Sequence, residues 1–114
     1  MKNQSSGSLE FVQKLAQQCD VHELEASSNR SALHKAAFWG HDHVVRFLLE
    51  GCKLNPNQQD KSGDTALHDA CRFGHTECVK MLMEVTNKSL TNDQGQTPKD
   101  TAVEYGKQDV AALL

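Results

Sequence analysis

The sequence repeats itself at a spacing too long for one helix or strand and too short for a separate domain. That confines the chain to an architecture of stacked units. Ser31-Ala32-Leu33-His34-Lys35-Ala36-Ala37-Phe38-Trp39-Gly40-His41 returns 34 residues later as Thr65-Ala66-Leu67-His68-Asp69-Ala70-Cys71-Arg72-Phe73-Gly74-His75. A weaker copy, Thr97-Pro98-Lys99-Asp100-Thr101-Ala102-Val103-Glu104-Tyr105-Gly106-Lys107, follows 32 residues on. Phe11-Val12-Gln13-Lys14-Leu15-Ala16 matches Val44-Val45-Arg46-Phe47-Leu48-Leu49 at a distance of 33, so the chain holds about three and a half units. Periods of about 20–50 residues mark arrays in which each unit buries its apolar face against its neighbours.

Each unit reads as two short helices. Ser31, Thr65 and Thr97 stand where a hydroxyl can accept from an orphan backbone N–H, and Pro98 occupies a first helical position that tolerates a missing donor. Gly40, Gly74 and Gly106 then end the first helix after about two turns. Ala36, Ala37, Ala70 and Ala102 leave room for a close neighbour. The second helix carries an apolar stripe: Val44, Val45, Phe47, Leu48, Leu49; then Cys78, Val79, Met81, Leu82; then Val110, Ala111, Leu113, Leu114. Asn29, Gly63 and Gly95 recur between units, and these residue types best tolerate positive φ. Burying one large aliphatic side chain is worth roughly 1.5–3 kcal/mol. No unit has enough of them to fold alone.

The S/T-x-L-H-x-A-x-x-x-G-H pattern, the paired apolar residues after it and the period near 33 resemble ankyrin repeats over residues 9 to 114. The resemblance implies an all-α solenoid of stacked helix-turn-helix units with hairpin-like loops. Residues 1–8 read as a flexible tail and 9–114 as one domain, divided into a partial repeat 9–26, repeats 27–60 and 61–92, and a capping repeat 93–114. The sequence departs from the family pattern in three places. The loop from Gly51 to Asp60 lacks the usual Gly-Ala-Asp-x-Asn turn. The stretch from Val85 to Asn92 is shortened. Lys99-Asp100 replaces Leu-His, and with the polar Lys107, Gln108 and Asp109 this marks a terminal cap. The sequence ends inside an apolar stripe at Leu113-Leu114, which leads us to expect further residues in the natural protein.

Composition excludes several function classes. With 38% hydrophobic and 24% charged residues the chain is neither a disordered tail nor a membrane protein, and no apolar run approaches a membrane span. Met1 to Ser8 lacks the apolar stretch of a secretory signal. A net charge of −3 without a Lys/Arg block argues against nucleic-acid binding. The four cysteines read as buried free thiols rather than disulfides, which fits a cytoplasmic protein, with the nucleus as the alternative.

Little in the sequence suggests catalysis. Cys71, His75 and Cys78 have a spacing seen in zinc sites, but Cys71 falls in the column of Ala37 and Cys78 in that of Val44, both apolar core positions. Cys19 and Cys52 share a column, where like residues lie about 10 Å apart, beyond the roughly 7 Å a disulfide allows. His34 pairs with His68 and His41 with His75; in ankyrin repeats the first column bonds backbone near the next loop. His41-Asp42-His43 reads as a solvated helix start. The turns lack the alternating acidic ligands of a calcium loop, and no nucleophile, base and orienting group come together. We therefore expect no enzyme, metal or cofactor.

The aromatics say more. Trp39, Phe73 and Tyr105 share the column before the terminating glycine, and Phe38 precedes Trp39, with Arg72 and Glu104 as its counterparts. Four of the six aromatics thus fall at one place in each repeat. By resemblance, these positions and the hairpin tips line a concave groove where partners bind. Trp, Tyr and Arg dominate interface hot spots. Arg30, Lys61, Arg72 and Glu104 would supply rim charge, with Asp64 among the polar tip residues. Simple packing between neighbouring repeats competes with this reading for each ring. The expected function is a protein–protein interaction module, acting as a monomer on a protein or peptide without nucleic acid or membrane insertion. The alternative is a regulatory or assembly segment of a larger protein such as an enzyme or channel.

Overall fold

A computed structural model describes residues 24–114. The match at Phe11 to Ala16, with Cys19 and His22, lies outside the described residues. Six helices run in pairs: α1 (Ala32–Trp39) with α2 (Asp42–Glu50), α3 (Ala66–Phe73) with α4 (Thr76–Leu82), and α5 (Pro98–Glu104) with α6 (Gln108–Leu113). The first helices α1, α3 and α5 pack side by side in one layer, and α2, α4 and α6 form a second layer beside it. No strand occurs among the described residues. The observed architecture is an all-α solenoid.

The caps explain where the helices begin. Ser31 Oγ accepts from the His34 amide at 3.2 Å, while the Ser31 amide donates to His34 Nδ1 at 3.1 Å. Thr65 and His68 repeat this box at 3.3 and 3.0 Å. Because Nδ1 accepts, the other nitrogen carries the proton. It donates across to the next unit, from His34 Nε2 to the Asp64 carbonyl at 2.8 Å and from His68 Nε2 to the Gln96 carbonyl at 2.9 Å. Asp100 keeps the box in the third unit, accepting from the Thr97 amide at 3.1 Å. A carboxylate has no donor with which to reach a following loop.

The hairpins stack in the same register. The Lys61 amide donates to the Ser28 carbonyl and the Asp93 amide to the Ser62 carbonyl, both at 2.9 Å. Asn29, Gly63 and Gly95 take φ of 60, 80 and 75°, as the turn column requires. The irregular loop after α2 turns at Lys53, with φ 57°, whereas Gly51 stays right-handed at −83°. The Leu54 side chain is thereby buried among the aliphatic residues of the core. That core runs between the layers: Leu33, Val45, Leu48, Leu67, Val79, Leu82 and Val110 are all buried. Phe47, Leu49, Met81, Leu113 and Leu114 flank it, half-buried.

Cys71 and Cys78 are free thiols within this core, and burial pushes them up to about 12 and about 11. They act there as small apolar side chains. His75 turns to the previous unit, where its Nε2 donates to the Phe38 carbonyl at 3.0 Å. Among the described residues no group of three or more His, Cys, Asp and Glu is placed to hold a metal.

Two predictions test the stacking. A Cβ on Gly63 would lie 2.9 Å from the Asn92 Cα, whereas one on Gly95 would meet nothing within 4 Å. Both substitutions carry the positive-φ strain, so Gly63→Ala should lower the melting temperature well beyond Gly95→Ala; the strain itself costs about 1 kcal/mol. Burial lowers the pKa of His34 and His68 below the usual imidazole value. The unfolded chain thus binds protons first, and the histidines' contribution is complete above about pH 6.5 and lost as pH falls toward their lowered folded values. Thermal melts from pH 8 to 5 should show a shallower acid loss in His68→Gln than in the wild type.

Candidate functional surface

The hairpin preceding α1 carries Arg30, and α1 ends in Phe38 and Trp39. The Arg30 guanidinium lies 5.7 Å from the Phe38 ring centroid. Phe38 meets Trp39 edge-on at 5.1 Å and Phe73, one repeat away, edge-on at 4.6 Å. One repeat further, the Arg72 guanidinium covers Tyr105 at 5.4 Å. Offset and edge-on ring pairs of this kind are favourable geometries. Phe38 is half-buried, but Trp39 is 67% exposed, Tyr105 49% and Phe73 40%. The structure thus brings Phe38, Trp39 and Phe73 into one patch across two repeats, with Tyr105 beneath the Arg72 guanidinium one repeat further.

An ionic chain runs beneath it. Arg30 donates to Asp60 at 2.8 Å and to Asp69 at 2.7 Å; Arg72 donates to Asp69 at 3.1 Å and to Asp64 at 3.2 Å. The Asp69 side chain is 1% exposed, and burial pushes its carboxyl up to about 6 against the pull of both guanidiniums. Asp64, expected among the partner-binding residues at the hairpin tips, is instead buried: it also accepts from Asn92 Nδ2 at 3.1 Å, and its carbonyl receives His34. Arg30 and Arg72 are likewise only partly rim charges, because each guanidinium is committed to two internal carboxylates. Glu104 is exposed and accepts from Gln96 Nε2. Lys61 is exposed on its hairpin, fixed by its backbone bond to Ser28.

The sequence reading missed Asp60 and Asp69, which hold the two arginines. A signal was present: Asp69 lies three residues before Arg72 on one helix face, and it carries an acid in a column that otherwise holds Lys35 and Thr101.

With this geometry in place, comparison with known proteins decides the family. The family model for ankyrin repeats (3 copies) matches residues 2–92 and 52–114. The chain belongs to the ankyrin repeat family. Ankyrin repeats are generally protein-interaction modules, and ankyrin repeat domains are typically non-enzymatic. The chain is also similar to the mitochondrial liver isoform of glutaminase from Mus musculus and from Rattus norvegicus, 39% identical over 59 residues in each case. That segment is 52% of this chain and 10% of either glutaminase, so the match spans a tenth of the length of these relatives. Among the described residues no helix is long and apolar enough to cross a membrane.

Removing Asp69 should expose its role beneath the patch. Asp69→Ala leaves Arg30 and Arg72 short of a buried partner, and the expected loss is about 3–5 kcal/mol in urea unfolding. A loss below about 1 kcal/mol would show that solvent replaces the carboxylate and that the network does not hold the arginines.

Proposed function

We propose that this ankyrin domain is a protein-binding module that receives a partner protein or peptide in the concave groove between its first helices and its hairpins. Phe38, Trp39, Phe73 and Tyr105 form the anchor. Arg30 and Arg72 contribute their planar faces, while Lys61 and Glu104 supply rim charge. One observation carries the reading: Trp39 leaves two-thirds of the largest side chain type in solvent, edge-on to the half-buried ring of Phe38. An exposed indole adds little to folding, but it is a strong hot-spot residue once a partner desolvates it. The scaffold beneath is fixed by inter-repeat bonds, so docking requires little reorganisation. The domain acts as a monomer in this reading, and its buried protonated thiols suit a reducing compartment, the cytoplasm or the nucleus.

The glutaminase match supports a second reading, in which these repeats are a regulatory or assembly segment of a larger protein. A transcript that encodes a further folded domain would support it, and a short transcript would remove it.

Trp39→Ala separates an interface role from a packing role. Partner capture in a pull-down should weaken about tenfold or more, while the melting temperature moves by less than about 3 °C. Loss of the fold would make the ring part of the core and end the groove assignment.

A further inference from the structure

We propose that Asp69 is a proton-operated switch that sets how Arg72 is held over Tyr105. The two carboxylate oxygens serve different partners. Oδ2 accepts from Arg30 Nη2 at 2.7 Å, and Oδ1 accepts from Arg72 Nη1 at 3.1 Å. A carboxylic acid carries one O–H, and the oxygen that bears it points a donor at a guanidinium N–H, which is also a donor. A proton taken from solvent therefore forms one O–H bond and breaks one of these two hydrogen bonds. Oδ1 is the oxygen that yields. Its bond is the longer one, and Arg72 retains Asp64, whose two oxygens accept from Nη2 at 3.3 and 3.2 Å. Arg30 keeps Asp60 and Asp69 Oδ2. Arg72 then turns toward Asp64, and the guanidinium that lies 5.4 Å from the Tyr105 centroid moves with it. The exposed surface thus changes at its Tyr105 end while the Arg30 and Phe38 end stays as it is.

Charge favours a proton at this place. Asp60, Asp64 and Asp69 face Arg30 and Arg72, so the cluster holds one negative charge in excess. All three carboxylates are nearly enclosed, Asp69 most of all, and water screens an excess charge poorly there. The charges on the surrounding elements are engaged elsewhere or face solvent. Lys35 of α1 pairs with Glu25, and Lys80 of α4 with Glu77. Lys61 on the hairpin and Lys99, Asp100 and Glu104 of α5 are exposed. His34, His68 and His75 each give Nε2 to a backbone carbonyl. Burial then pushes the Asp69 carboxyl up to about 6. A carboxyl raised above its ordinary value of about 3.9 takes its proton first in the folded chain. Between those values its contribution to stability grows as pH falls, opposite in sign to that of His34 and His68. The switch therefore works within the folded domain rather than by unfolding it.

Tyr105 is the only tyrosine in the chain, so its ring reports the switch with no partner present and independently of the groove reading. The experiment is an NMR titration from about pH 8 to about pH 5, spanning the Asp69 carboxyl value, that follows the Asp side-chain carboxyl carbons, the Tyr105 ring and the two arginine Nε–H signals. The Asp69 carboxyl and the Tyr105 ring should move with one shared midpoint near pH 6, and Arg72 should shift more than Arg30. In Asp69→Asn, a neutral side chain of the same shape, the Tyr105 signal should sit at its acid position and lose most of its pH dependence. An Asp69 carboxyl that titrates at its ordinary value would overturn the switch, as would a Tyr105 midpoint different from that of Asp69. A Tyr105 shift that persists in Asp69→Asn would assign the effect to a histidine instead. A larger shift at Arg30 than at Arg72 would overturn the choice of Oδ1. Should Asp69→Asn fail to fold, the two midpoints in the wild type still decide. A failed titration leaves the groove reading standing, and a Trp39→Ala variant that captures partner normally leaves the switch standing.

Discussion

The imidazole of His34 belongs to two repeats at once. One ring nitrogen closes the cap of α1 with Ser31, and the other reaches the Asp64 carbonyl of the following hairpin. His68 repeats the arrangement toward Gln96. Each ring thereby ties the start of a helix to the position of the next loop. A helix of about two turns is marginal on its own, so the cap and the neighbour have to form together. Neutral imidazole is required, since a charged ring would carry a second proton and could no longer accept at Nδ1. Burial enforces this by holding both histidines below their usual pKa. The apolar columns then meet in register, and the outer layer of α2, α4 and α6 closes the core.

Much of this was legible because a repeat lets each position be read more than once. Ser31, Thr65 and Thr97 announced three helix starts through a shared chemistry, and all three accept the bond expected of them. The aromatic column was visible for the same reason, and the structure does bring Phe38, Trp39 and Phe73 into contact. Legibility failed where the columns break. Asp69 has no counterpart of its type in its column, and the contacts that matter cross between units: Asp60 and Asp69 both hold Arg30, and Asn92 holds Asp64. A lone acid in a hairpin reads from one sequence as an exposed tip residue, so Asp64 falls among the partner-binding positions when it is in fact enclosed by Arg72 and Asn92. Lys53 escaped for a related reason: a left-handed lysine has no sequence signature of the kind glycine or asparagine supplies.

Burying charge under the aromatic patch runs against stability, because desolvating ions costs several kcal/mol each before any attraction is counted. Apolar side chains would fill the same space at lower cost. What the ions give here is placement. Arg30 is held by Asp60 of the following hairpin and by Asp69 of α3, so its plane has little freedom left over Phe38. Arg72 is fixed in the same way by Asp69 and Asp64 beside Tyr105. A leucine at either place would pack but would not orient. The network also crosses the boundary between two repeats, adding to the histidine links a second tie that depends on direction as well as proximity.

The two kinds of tie divide the surface from the scaffold. Histidines and leucines set the distance from one repeat to the next; the arginine and aspartate chain sets the angle of what is displayed at that distance. Trp39 belongs to neither set, since its one ring contact among the described residues is to Phe38 and most of it faces water. A side chain that size left outside both the core and the ionic chain gains little from the fold beyond its edge-on contact with Phe38. Stability alone would allow a smaller, more soluble residue on that rim. Under the proposed function, that missing free energy is recovered when a partner covers the ring. On that reading the partner meets side chains already placed by the ionic chain and the ring contacts, and the gain is not spent on ordering them.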